Sequence, residues 1–454
     1  MDGQSSGTVT FNPTTDTVCE ISNETATLTI PAGGINTSYS GGPSSINIGS
    51  AVTITITEPD EFVCGTQLSY SSSNASTKLG EAEFNYTNDA LIGAVSGLSS
   101  QSNFEVINLH KAKGGYGLTG DGQSVGIIDY GFNTSHAEFG TTHRSITTVG
   151  SLSANSSTNY HGASVSGILA ADDDGVGPEG VADKADLRLC EGAASLLNTT
   201  GFNTLTTCMN DFTSNSAVVV NQSWGLNTFN ADDLDAYIAA YPDNTVTELF
   251  QYALTDHADA NGSDDTWMDI DGTLDSTMQT AITNYITALN NFQANGVIVQ
   301  SNSNTTAEVD ADIFAALPTF FSQLAEAWIA VVNIEVDGAS GSESYSLMSA
   351  PCGQTKEYCL GADGWQMAGV AIGSSGYYDI GSGTSYAAPQ VSGAVALLAE
   401  AFPNHTPEML VDRLLATGQN SASLIGTHTG AVTFGNGVQH GYNANYGHGL
   451  MDVY

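Results

Sequence analysis

Gly383-Thr384-Ser385-Tyr386-Ala387-Ala388-Pro389 places a serine among small residues at the head of an apolar stretch that runs on through Val391, Ala394, Val395, Leu397 and Leu398. That stretch reads as a buried helix. Proline has no backbone N–H and a fixed φ, which suits the first turn of a helix, so Pro389 is expected there. Ser385 then sits where free N–H groups and the positive end of the helix dipole face outward, a setting that stabilises a developing oxyanion. A Gly-Thr-Ser run is common in loops, and its meaning depends on a base and an acid elsewhere in the chain.

Working outward from the serine, both are present. Val125-Gly126-Ile127-Ile128-Asp129 is a short, nearly continuous apolar run ending in a carboxylate and followed by the turn-like Tyr130-Gly131. Central parallel strands have this composition, and ligands bind beyond their carboxyl ends. His161-Gly162-Ala163-Ser164-Val165-Ser166-Gly167-Ile168-Leu169-Ala170 puts a histidine at the start of a small-residue helix able to pack closely on a sheet. An acid, a histidine and a serine at three element ends supply orienter, base and nucleophile for acyl transfer. Of the nine histidines, His136 is the nearest rival to His161 and reads as structural.

Together these segments resemble the subtilisin-like serine proteases, whose order is Asp, His, Ser and whose motifs are close to V-x-x-x-D-x-G, H-G-x-x-V-x-G and G-T-S-x-A-x-P. The resemblance covers residues 103–454. It implies an α/β fold, a subtilisin-like three-layer arrangement with a central, mostly parallel sheet flanked by helices. It also implies a serine endopeptidase acting on protein or peptide substrates, with Ser385 as nucleophile, His161 as general base and Asp129 as orienter. In Val218-Val219-Val220-Asn221-Gln222-Ser223-Trp224-Gly225 the family carries a Ser-x-Gly edge that pairs with extended substrate, so Ser223, Trp224 and Gly225 are the expected substrate-binding residues. Trp224 stands where leucine is more usual, as in the bacterial autotransporter-type subtilases.

Gly296-Val297-Ile298-Val299-Gln300-Ser301-Asn302 is a strand ending in asparagine, with Asn304 close behind. The family uses such an amide as an oxyanion donor, a contribution of about 3–4 kcal/mol to the barrier. Gln300-Ser301-Asn302 replaces the family's Ala-Gly-Asn, and Asn302 is the expected donor. The chemistry requires no cofactor. Structural calcium, frequent in the family, has its candidates at Asp269 and Asp271, although the full EF-hand spacing and final Glu are missing there. Asp172-Asp173-Asp174-Gly175 is a second acidic run. Two other readings stand beside a protease: a catalytically inactive subtilase-fold binding or surface module, and an acid-acting sedolisin-type peptidase, a family that has Glu where this chain has His161.

Composition frames these expectations. Eight Lys and Arg against 48 Asp and Glu give a formal charge of −40. Nucleic acid and anionic membrane surfaces both require basic patches and are excluded as partners. Charged residues are only 12% of the chain, so the acidity reflects scarce bases and a surface of Asn, Ser, Thr and Gly. Spacing groups the six cysteines as Cys19 with Cys64, Cys190 with Cys208 and Cys352 with Cys359. No CxxC or close His–Cys cluster suggests zinc, so disulfides and an oxidising, secreted location are expected. A short Cys loop upstream of the serine, like Cys352–Cys359, also occurs in autotransporter-type subtilases, which points to the outside or surface of a bacterial cell.

Before residue 98 the character differs. Ala26-Thr27-Leu28-Thr29-Ile30 and Val52-Thr53-Ile54-Thr55-Ile56-Thr57 alternate as half-buried strands do. Residues 1–98 are therefore expected to form a small β-rich accessory domain or a propeptide, and residues 103–454 the catalytic domain. Met1 with no leader after it suggests a mature form supplied with a start residue. A chain ending shortly after Gly447-His448-Gly449 suggests a further C-terminal module in the natural protein.

Overall fold

Apolar, β-branched runs that alternate with helical stretches after residue 100 assemble into one parallel sheet. In the computed structural model it comprises β1 (Ser124–Asp129), β2 (Ile146–Val149), β3 (Asp186–Glu191), β4 (Val219–Gln222), β5 (Val297–Ser301), β6 (Trp328–Asp337), β7 (Ser344–Leu347) and β8 (Cys359–Ala362). The strand order is β8-β6-β5-β4-β1-β3-β2, with every neighbouring pair parallel. β7 joins the end of β6 in antiparallel pairing. The structure describes the backbone of residues 25–28 and 52–55, and then residues 68–85, 102–153, 160–192, 198–259, 275–371, 378–435 and 437–454.

Strand alternation divides the sheet between two cores. Val125, Ile127, Val219, Val297 and Val299 face the layer that holds α2 (His161–Ala170) and α7 (Thr384–Ala401). Ile128, Val220, Ile298 and Trp328 face the layer that holds α3 (Thr199–Ser214) and α6 (Ser276–Phe292). The expected apolar stripe of α6 is buried there through Met278, Ile282, Tyr285, Ile286, Leu289 and Phe292. α4 (Ala231–Ala240) and α5 (Val246–Asp259) follow β4, and α8 (Pro407–Ala416) starts as expected, with Thr406 Oγ1 accepting from the Met409 N–H. The three-layer α/β expectation therefore holds.

The chain separates into two compact units, Met1–Gln67 and Leu68–Tyr454. In the first, the expected strands are Thr25–Leu28 and Val52–Thr55, which pair antiparallel. The boundary drawn at residue 98 moves to residue 67, because α1 (Ser72–Leu79) and the turn Ala82–Asn85 belong to the larger unit. Lys78 bonds Asp173 at 2.6 Å and Glu179 at 2.7 Å, and Phe84 packs on Phe104. Lys113, 4% exposed, meets Asp183 at 2.7 Å and Glu179 at 3.6 Å, so two of the chain's few cations are buried in one carboxylate network. Local alternation marked the strands before residue 60, but only these long-range ion pairs reveal which unit residues 68–85 join.

Candidate active site

β1 ends at Asp129 and α2 begins at His161, so the sheet edge and a helix start bring acid and imidazole together. His161 Nδ1 lies 2.7 Å from Asp129 Oδ1, which also accepts the Tyr130 N–H at 2.7 Å. With Nδ1–H directed to the carboxylate, Nε2 is left as the basic nitrogen. Burial pulls the imidazole pKa down, but the charge and hydrogen bond of Asp129 outweigh it and the net shift is upward. The Tyr130 ring stacks on His161 at a centroid distance of 5.4 Å, and Tyr386 meets it edge-on at 6.3 Å. Tyr386 follows Ser385, so the start of α7 lies beside the imidazole. His136, the rival histidine, is buried with its Nδ1 3.3 Å from the Glu138 N–H.

Ser385 occupies the second position of α7, and Gly383 before it has φ 146°, a backbone conformation that side chains rarely adopt. A Cβ on Gly383 would also lie 2.7 Å from Asn304 Oδ1. Pro389 was expected in the first turn, but α7 starts at Thr384 and the proline lies inside the helix. Its missing N–H is the one that would bond the carbonyl four residues earlier, that of Ser385. Ser223 Oγ donates to that carbonyl at 3.0 Å, and Ser385 Oγ donates back to the Ser223 carbonyl at 3.1 Å. Ser223 in turn accepts from Asn221 Nδ2 at 2.9 Å, and Asn221 Oδ1 accepts from Ser392 Oγ at 2.9 Å. The proline thus frees the Ser385 carbonyl for a clamp from Ser223, just after β4.

The other expected substrate residues follow Ser223 at the end of β4. Trp224 packs edge-on against Phe314, with its carbonyl accepting from Gln300 Nε2. Gly225 sits against Asp312, where a Cβ would come within 2.6 Å of the carboxylate.

Asn302 requires correction. It is 3% exposed, its Nδ2 donates to the carbonyls of Ala350 and Pro351, and its Oδ1 accepts the Ser303 and Asp312 N–H groups. All of its amide capacity is engaged within the protein, so it cannot serve an oxyanion. Asn304 is exposed, and its Oδ1 accepts the Thr384 N–H at 2.8 Å beside Ser385.

Cys190–Cys208 and Cys352–Cys359 are disulfide-bonded, with Cα separations of 5.7 Å and 6.0 Å. Cys19 and Cys64 lie outside the described residues, as do the calcium candidates Asp269 and Asp271. Among the described residues, Glu81, Asp173 and Glu179 cluster as metal ligands might, but the Lys78 ammonium bonds all three at 2.6–2.7 Å. A second acidic cluster differs. Glu138 is 2% exposed with Oε2 unpartnered, and burial pushes its carboxyl up to about 8 against the pull of the Tyr378 hydroxyl, with Asp174, Glu83 and Asp172 adding to the rise. Glu83 accepts the Asp174 N–H at 3.1 Å and the Gly175 N–H at 2.5 Å, which ties it to the same loop. Asp172–Gly175 is recognisable as an acidic run from the sequence, whereas Glu83 and Glu138 reach it only through the fold.

The chain is 26% identical over 353 residues to an extracellular serine protease of Serratia marcescens, an alignment covering 68% of this chain and 30% of that protein. This chain therefore spans under a third of that relative's length. Among solved structures it is similar to Sphericase, with a TM-score of 0.47, 18% identity and coverage of 74% of this chain and 93% of that one. The prenylagaramide maturation protease PagA is similar at a TM-score of 0.44 and 16% identity, over 73% of this chain and 91% of that one. The subtilase family model matches residues 120–449, which hold Asp129, His161 and Ser385, and the chain belongs to the subtilase family.

Proposed function

We propose that this chain is a secreted serine endopeptidase that cleaves peptide bonds through an acyl-enzyme. The observation that carries the reading is the 2.7 Å His161–Asp129 hydrogen bond, with the ring of Tyr386, the residue after Ser385 at a helix start, edge-on to the imidazole. Ser385 Oγ attacks the scissile carbonyl as His161 Nε2 takes its proton. Asp129 keeps His161 in the productive tautomer and stabilises the imidazolium. The oxyanion is bound by the Ser385 N–H and by Asn304 Nδ2, whose opposite end is held by the Thr384 N–H. His161 then returns the proton to the leaving amine, and water resolves the acyl-enzyme. In the resting chain Ser385 Oγ bonds the Ser223 carbonyl, and rotation toward His161 accompanies substrate binding, as catalytic hydrogen bonds tighten in the complex.

Extended peptide lies along Ser223–Gly225. The two disulfides and the extracellular relative support secretion. Among the described residues only Glu81, Asp173 and Glu179 bring three carboxylates close enough to share a cation, and the Lys78 ammonium already fills that place, so the calcium this family implies has no fitting site among them. The test of function is labelling by a fluorophosphonate. Labelling that disappears in Ser385→Ala is the expected result, and an inert wild-type chain would leave a non-catalytic binding module.

A further inference from the structure

Asp312 is wholly buried and has no cation among its described partners. Its Oδ2 accepts the N–H groups of Leu226 at 2.7 Å and Asn227 at 3.0 Å, and its Oδ1 accepts that of Phe314 at 2.9 Å. Burial pushes the carboxyl up to about 6 even against these three donors. Such a group is unfavourable to bury without a counter-charge. Its contacts fall on the substrate edge, directly after Ser223-Trp224-Gly225.

Those contacts continue toward the nucleophile. Asn227, fixed by Asp312 at its N–H, accepts the Asn304 N–H through Oδ1 at 2.9 Å and the Ser303 hydroxyl through its carbonyl at 2.7 Å. Asn304 Oδ1 then holds the Thr384 N–H beside Ser385. From the other side, the Asp312 N–H is fixed by Asn302 Oδ1 at 2.6 Å. Asn302 therefore acts on this relay instead of on an oxyanion.

We propose that Asp312 is a positioning residue that sets the substrate edge Gly225–Asn227 and the oxyanion loop Ser303–Asn304 in one frame. Because it is wholly buried and its oxygens already accept three backbone N–H groups, it does not select a basic substrate side chain. An asparagine cannot replace it, since one end of the amide would present a donor to another donor. The inference rests on the peptidase reading above.

The test compares two variants on two substrates, an extended chromogenic peptide and p-nitrophenyl acetate, which reaches only the nucleophile and oxyanion donors. In Asp312→Asn, kcat/KM for the peptide falls by roughly 10- to 100-fold, more than for the ester, since small misplacements of bound substrate carry losses of that order. Asn227→Gly keeps the left-handed backbone at that position, φ 60°, and deletes only the amide that holds Asn304. It lowers kcat on both substrates with KM nearly unchanged, the pattern of an interaction lost in the transition state. If Asp312→Asn does not fold, Asn227→Gly decides alone, and an unchanged kcat overturns the proposal. Equal losses on both substrates in Asp312→Asn that merely follow its folded fraction also overturn it. A wild-type chain inert to peptide, ester and fluorophosphonate overturns the peptidase reading and this inference with it, whereas an active wild type with unaffected variants overturns this inference alone.

Discussion

Replacing Ser223 with alanine deletes the hydroxyl that donates to the Ser385 carbonyl at 3.0 Å. Pro389 has no N–H to take over that acceptor, and Ser385 is only 8% exposed, so water cannot fully replace the bond. A buried carbonyl left unpaired costs about 1–3 kcal/mol. Asn221 Nδ2, itself fully buried, loses its acceptor at 2.9 Å in the same step, which places the total at about 2–4 kcal/mol. Pro389→Ala restores an N–H four residues after Ser385, and in that background the carbonyl keeps a donor. A double-mutant cycle therefore isolates the clamp from the other effects of removing proline. The four proteins are compared by urea titration in a Ser385→Ala background, which prevents autolysis and leaves the backbone carbonyl in place. The expected coupling is about 1 kcal/mol or more, with Ser223→Ala less damaging once Pro389 is gone. Strict additivity, within about 0.3–0.5 kcal/mol, would refute the reasoning that Ser223 stands in for the missing helical N–H.

Asn304→Ala is expected to lower kcat by roughly 10²- to 10³-fold with little change in KM, whereas Asn302→Ala chiefly lowers stability; the reverse pattern would return the oxyanion role to Asn302. Asp129 raises the His161 pKa, so the acid limb of kcat/KM falls above about pH 6.5, the ordinary imidazole value. The sign for stability is opposite: the His161–Asp129 pair contributes most below the unfolded pKa, and its contribution is lost as pH rises through the folded one. Tyr130→Leu, which removes the ring stacked on the imidazolium, moves the acid limb toward lower pH, and an unmoved limb denies the ring any part in holding that charge.

The positions of Asp129, His161 and Ser385 at element ends were legible because each local sequence is self-sufficient: Asp129 ends an apolar run, His161 heads a small-residue helix and Ser385 lies two residues after Gly383 at the head of an apolar one. The alternation of strands with helices made the parallel sheet legible, but not the order of its strands, which depends on pairing between distant segments. What failed were statements that depend on a second segment. Asn302 and Asn304 are two residues apart and chemically identical, and only the packing of Ala350, Pro351 and Asp312 on one and of Thr384 on the other separates their roles. Pro389 was assigned to a first turn because the sequence does not show where the helix begins.

The sequence by itself determined the family, the fold class and the three residues at the element ends, because hydrophobic period and local backbone chemistry act over a few residues. The tertiary structure decided how the serine is held, which asparagine faces it, why a buried aspartate lies behind the substrate edge and where the larger unit begins. Those depend on hydrogen bonds and ion pairs between segments 80 to 170 residues apart, such as Asn304 with Thr384, Ser223 with Ser385 and Lys78 with Glu179, and no local pattern encodes which distant donor meets which acceptor.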